Sequence, residues 1–156
     1  MTSLRAIRLW TCLFVAALLA GCGGPASLYD RVGGFETMVH LGDSLIVDIG
    51  RDPVLRERFR GFSWRDIQRQ RSANVAFVCA IAGGPCRYDG PDMAEIHRGM
   101  DITDAEFDRM IALFAAAARR ASPDPVAADE FIARFAPLRA AIVAHPGGQT
   151  TARTRD

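Results

Sequence analysis

Apolar residues recur at three- and four-residue spacing along most of this chain, and glycine and proline cut that pattern into short pieces. From Phe35, the positions Met38, Leu41, Leu45 and Ile49 share one helical face up to about Gly50. Ile67, Asn74, Val75, Val78 and Cys79 carry a second such stretch to Ala82. Phe107, Met110, Ile111, Phe114 and Ala118 line a third, and Phe131, Ile132, Phe135, Leu138 and Ile142 a fourth. This period belongs to helices with one buried face, and nowhere does the sequence alternate as a strand does. The expectation is an all-α fold, and 156 residues leave room for one domain.

The punctuation predicts where each helix begins and stops. Ser27 to Val32 form one short turn of helix closed by Gly33-Gly34, since glycine accepts the left-handed conformation that ends a helix. Asp52-Pro53 starts a short helix through Val54, Leu55 and Phe59, with proline in the first turn. Ser63 with Asp66, and Thr103 with Glu106, have the spacing of capping boxes. Gly83-Gly84-Pro85 ends the second long helix, and Cys86 to Asp92 is too rich in Gly, Pro and Asp to be regular. A single turn then carries Met93, Ile96 and His97. Ser122-Pro123-Asp124-Pro125 is a break, and Pro137 predicts a kink in the last helix. Residues 146–156 read as a disordered tail.

The first 21 residues read as a leader and not as part of the fold. Arg5 and Arg8 precede the apolar run Leu13–Ala20, which is too short for a bilayer core of about 30 Å that takes roughly 20 residues. Leu19-Ala20-Gly21-Cys22 resembles the lipobox of bacterial lipoproteins, which implies acylation of Cys22 and a linker over residues 22–26. Several acyl chains anchor stably where one does not. The expected location is therefore the periplasmic side of a membrane, with Gly23 favouring the outer membrane over the inner. Two cysteines remain, Cys79 and Cys86, seven residues apart across the glycine turn. An exported protein can join them as a disulfide, or both can be small core residues. Their spacing suits neither zinc nor covalent haem attachment.

Charge excludes one class of partner. Every basic residue is an arginine, and removing Arg5 and Arg8 from the 19 leaves 17 against 18 Asp plus Glu. No basic stripe with interleaved aromatics offers a footprint for nucleic acid.

Three segments, in order, resemble the group 1 truncated hemoglobins. Ser27-Leu28-Tyr29-Asp30-Arg31-Val32-Gly33-Gly34 is similar to that family's opening helix and first double glycine. Gly83-Gly84-Pro85, followed by Tyr88 and Gly90, is similar to its second glycine motif. Asp92 to Thr103, with Ile96-His97-Arg98-Gly99 inside it, is similar to the segment bearing the proximal histidine. Ala136-Pro137-Leu138 adds a weaker match, and the likeness runs from about Ser27 to about Ala144 within a domain of residues 27–145. The resemblance implies a two-over-two helical sandwich around one haem b per chain, with the proximal helix reduced to a loop and one turn.

That implication assigns residues. Haem iron takes a neutral imidazole on one face. Of three histidines, His97 lies in the matched segment, whereas His40 and His145 read as surface or partly buried side chains. Phe59 matches the position where the family stacks a phenylalanine on haem, and Phe77, Met93, Ile96, Ile102, Phe107 and Ile111 are further wall candidates. Tyr88 and Arg87 are candidates for the propionate rim. On the distal side, the place of a family tyrosine falls on Ile46, which cannot donate a hydrogen bond. The polar candidates are Gln70 and Asn74, one turn apart, with Arg71 as the alternative if the alignment slips. A family lysine that reaches the propionates falls near Ala73, leaving that contact absent or supplied by Arg71.

The function this implies is reversible binding of dioxygen, carbon monoxide or nitric oxide at iron held by His97, by a monomer. An enzyme for nitric oxide dioxygenation or peroxide chemistry is the alternative. It would need a separate reductase, because the chain carries no nicotinamide or flavin fingerprint. A haem-delivery or sensing lipoprotein is a third reading.

Overall fold

The computed structural model describes residues 25–143. The leader (1–21), Cys22, His145 and the tail (146–156) lie outside the described residues. The order is α1 (Leu28–Val32), α2 (Gly34–Arg51), a 3-10 turn (Leu55–Phe59), α3 (Trp64–Ile81), α4 (Met93–His97), α5 (Asp104–Ala121), α6 (Pro125–Ala133), a second 3-10 turn (Ala136–Leu138) and α7 (Arg139–Ile142). No strand occurs among the described residues.

The long helix α2 packs on both α3 and α5, α5 packs on α6, and α1 closes against α6. The main core therefore gathers residues from five helices: Leu28, Val32, Met38, Leu41, Val78, Cys79, Ala117, Ala118, Ala127, Ala128 and Phe131, with Phe135 just beyond α6. Alanines on the facing turns of α5 and α6 let the two helices approach closely. A smaller cluster of Leu45, Ile49 and Leu55 sits at the far end of α2, with Phe59, Met110, Leu113 and Phe114 half-buried around it.

The caps form as the sequence predicts. Ser63 and Asp66 open α3, Thr103 and Glu106 open α5, and Ser27 with Asp30 makes a third box at α1. Gly33 holds φ at 113°, and its N–H closes α1 on the carbonyls of Asp30 and Tyr29. Tyr29 explains one glycine of the second pair, whereas Gly34 is required by its left-handed φ of 65°. A Cβ on Gly84 would stand 2.5 Å from the Tyr29 ring, and one on Gly34 would touch the same ring at 3.9 Å. At the crossing of α2 and α3, a Cβ on Gly42 would stand 2.8 Å from Val75 Cγ2.

One expectation is refined and one changes. The segment after Asp52-Pro53 is 3-10 and not α, begun by the buried Asp52 carboxylate, which accepts from the N–H of Val54 and of Leu55 at 2.9 Å each. The last helix is broken rather than kinked. Pro137 has no N–H, and its ring collides with the carbonyl four residues earlier, so the α ladder stops at Ala133. The chain crosses the gap on i→i−3 bonds from Arg134, Phe135 and Leu138 before α7 begins. The cysteine question is resolved as well. Cys79 and Cys86 are joined as a disulfide, Cα to Cα 5.7 Å, tying the end of α3 to the loop that leads to α4.

Candidate functional site

α4 is one turn long because its sequence allows no more. Asp92 caps it, accepting from Glu95 N–H at 2.7 Å, and Gly99 at φ 72° lies just past its end. His97 is the last residue of that turn and is half-buried. Its Nδ1 stands 2.8 Å from the Met93 carbonyl. A carbonyl can only accept, so Nδ1 carries the proton, and in the neutral ring the lone pair is on Nε2. A hydrogen bond on the far nitrogen is the usual way a ligating histidine is fixed in tautomer and orientation.

Beside α4 lies a cleft of about 540 Å³, lined by Phe77, Tyr88, Gly90, Asp92, Met93, Ala94, Leu138 and Ala141. That volume is within the range of cofactor and ligand sites, roughly 300–1,000 Å³. Phe77 is its aromatic wall, edge-on to Tyr88 at 5.1 Å and to Phe135 at 6.3 Å. The Tyr88 hydroxyl donates to the Pro91 carbonyl at 2.9 Å, and burial, with Asp92 nearby, pushes its pKa up. The cleft thus brings together three of the residues singled out from the sequence, Phe77, Tyr88 and Met93. His97 stands one turn beyond Met93 and is not part of this lining. Leu138 and Ala141 join the wall because the break at Pro137 turns α7 onto α4. No local sequence signal announces that.

The other candidates lie outside this lining. Gln70, Asn74 and Phe77 follow one another at helical spacing on α3, and Gln70 Nε2 donates to Asn74 Oδ1 at 3.1 Å. Arg71 is forked onto Asp43 of α2, with Nη2 to Oδ2 at 3.0 Å, so it is engaged there. Ile46, Ile96, Ile102 and Ile111 are half-buried. Phe59 is half-buried with its ring 5.3 Å from that of Phe62. Phe107 is buried, with the Arg139 guanidinium 4.5 Å over its ring. Arg87 is exposed and paired with Asp89, and His40 is exposed.

These residues fit haem. Among the described residues there is no cluster of three or more His, Cys, Asp or Glu side chains that could hold a metal ion. An imidazole with Nε2 available, an apolar cleft and flat aromatic walls answer to haem.

Residues 27–144 match the family described as bacterial-like globin. The chain belongs to this family. The globin is similar to a group 1 truncated hemoglobin of Mycolicibacterium paratuberculosis, 31% identical over 127 residues, 81% of this chain and 91% of the relative. A group 1 truncated hemoglobin of Nostoc commune is 34% identical over 83 residues, 53% of this chain and 68% of the relative. Among solved structures, truncated hemoglobin from Tetrahymena pyriformis in its Fe(III) form superposes with a TM-score of 0.69 at 21% identity, covering 77% of this chain and all (100%) of the other. Hemoglobin from Chloroflexus aurantiacus gives a TM-score of 0.65 at 23% identity, over 78% of this chain and 100% of that one. The fold is that of the truncated hemoglobins, and the globin binds haem b, one per chain, with diatomic ligands.

Proposed function

We propose that this globin is an exported, lipid-anchored binder of a diatomic ligand, with His97 as the proximal residue. The hydrogen bond from His97 Nδ1 to the Met93 carbonyl carries the assignment, because it presents Nε2 as a ready donor. Haem held by His97 would supply the iron that binds dioxygen, carbon monoxide or nitric oxide.

The chain's own residues do the rest. Phe59, Phe77, Met93, Ile96, Ile102 and Phe107 supply the apolar walls, and Ile46 keeps the α2 side of the distal space free of donors. Gln70 gives its amide hydrogen to Asn74 Oδ1, which leaves Asn74 Nδ2 to donate toward a ligand. A single neutral amide donor contributes about 1 kcal/mol net. Retention of dioxygen is therefore expected to be weaker than in a relative with a distal tyrosine. Tyr88 stands at the rim. Arg71 supports α3 through its pair with Asp43.

Export is supported by the Cys79–Cys86 disulfide, since such bonds persist in oxidising compartments. Cys22, next to the leader, is the acylation site in this reading. Among the described residues no helix is long and apolar enough to cross a membrane.

The deciding experiment is the visible spectrum of residues 23–156, reduced, with and without carbon monoxide, beside His97→Ala. A haem spectrum that shifts with carbon monoxide in the wild type and is lost or altered in the variant is expected. A helical protein that takes up no haem refutes the reading. For the anchor, labelled palmitate incorporated by the full chain and absent from Cys22→Ser is the expected result.

A further inference from the structure

The segment after His97 is held from outside by one side chain. Residues 98–102 are not helical. Gly99 holds φ at 72°, and Asp101, though not glycine, holds φ at 50°. Left-handed backbone at a residue with a side chain persists where the surroundings fix it. Here the fixing group is Arg58, at the end of the first 3-10 turn. Its Nη1 donates to the Met100 carbonyl at 2.6 Å, and its Nη2 to the Asp101 carbonyl at 3.3 Å. Its other edge is forked onto Glu106 of α5, Nε to Oε1 at 2.6 Å and Nη2 to Oε2 at 2.8 Å.

Glu106 is itself fixed. The Thr103 N–H and hydroxyl donate to its Oε2 at 2.9 and 2.8 Å, the capping box of α5. Only 12% of its side-chain surface is open to water. Arg58 therefore joins three pieces of backbone: the turn carrying Phe59, the loop leaving His97, and the first turn of α5. The Met100 N–H in turn donates to the His97 carbonyl at 3.1 Å, so the clamped residue is bonded directly to the histidine. α4 has no buried side chain of its own to fix its position.

We propose that Arg58 is a positioning residue for the proximal histidine, setting how His97 stands toward haem by clamping the Met100 and Asp101 carbonyls against Glu106. This rests on His97 being the iron ligand. A lysine cannot replace it, since one ammonium cannot span a carboxylate and two carbonyls as a planar fork does.

The test is resonance Raman of the reduced, haem-loaded protein, reading the iron–histidine stretch in wild type, Arg58→Gln and Arg58→Lys. Haem transfer to apomyoglobin is measured alongside. Arg109→Gln is the control, because it removes the Arg109–Asp52 pair at the same corner without touching the loop. Both Arg58 variants are expected to shift or broaden the band and to lose haem about 10-fold faster, the low end of outer-shell effects. Arg109→Gln is expected to lower the Tm and leave the band in place. In the haem-free protein, the Met100 amide is expected to exchange faster in both Arg58 variants. If Arg58→Gln fails to fold, Arg58→Lys carries the comparison. A wild-type band and wild-type haem loss in the Arg58 variants, whatever their Tm, overturn the role of Arg58. A wild type with haem but no iron–histidine band overturns the His97 assignment, and this inference with it.

Discussion

The α1–α2–α3–α5–α6 core and the α4 segment are held by different physics. The core is dry, and Val32, Met38, Leu41, Ala118 and Phe131 have no exposed surface. Burial there is non-directional and roughly proportional to area. α4 buries no side chain completely and packs on α7. Its local shape is set by the Asp92 cap, the His97–Met93 bond and the Tyr88–Pro91 bond, and the Arg58 clamp ties the loop that leaves it to the rest of the fold. The disulfide ties down the loop that enters it. A segment held this way can be set in orientation by a few hydrogen bonds without repacking the core.

The largest effect is expected in the core. Phe131→Ala should cost about 3–5 kcal/mol, as deletions of buried aromatics do. Urea unfolding would measure it. The carbon monoxide spectrum of the fraction that remains folded should be unchanged, and a changed spectrum would break the separation of core from site.

Replacing both Cys79 and Cys86 by alanine should cost about 2–3 kcal/mol, the loop-closure value for a loop this short. Its local consequence sharpens the comparison. Amide exchange should quicken across the loop from Cys86 to Asp92 and into α4 while α2 and α5 keep their protection. Uniform loss of protection would mean that the staple serves the whole fold.

Gln70→Ala with Asn74→Ala should raise the dioxygen off-rate roughly fivefold, the equivalent of about 1 kcal/mol for one amide donor. Flash photolysis reads this directly, and an unchanged rate would overturn the distal assignment.

The smallest effect at neutral pH is on the pH profile. The Arg58 guanidinium, with the Thr103 N–H and hydroxyl, holds the Glu106 carboxyl down at about 2 from an ordinary 4.5. A carboxyl lowered by folding stabilises the protein above its unfolded value and loses that contribution as pH falls toward the folded one. Stability should therefore be flat from this source near pH 7 and decline between about 4.5 and about 2. Glu106→Gln should be less stable at pH 7 and lack this part of the acid decline. Unfolding midpoints at pH 7, 4 and 3 would show it.

Much of the site was legible because the signals are local. The turn that bears His97 is bounded by Asp92, Gly99 and the Gly83-Gly84-Pro85 stop, all within a few residues. The stripe Gln70–Asn74–Phe77 follows from helical spacing alone. What could not be read lies between segments far apart in sequence. Arg58 meets Glu106 across 48 positions. Asp43 pairs with Arg71 across 28 positions, and Arg139 covers Phe107 from another helix. Each side chain has several feasible partners until the helices pack.

The sequence by itself determined the helices, their caps and the single turn around His97, because hydrogen bonds and side-chain contacts over three or four residues suffice for them. Even so, Pro137 broke the last helix instead of bending it. There the competing 3-10 bonds and the packing of α7 on α4 decided the outcome. The tertiary structure alone decided that Cys79 and Cys86 pair, that Leu138 and Ala141 complete the cleft, and that Arg58 reaches the loop behind His97. Those contacts depend on how whole helices cross, which is set by close approaches such as Gly42 on Val75 and not by any local pattern.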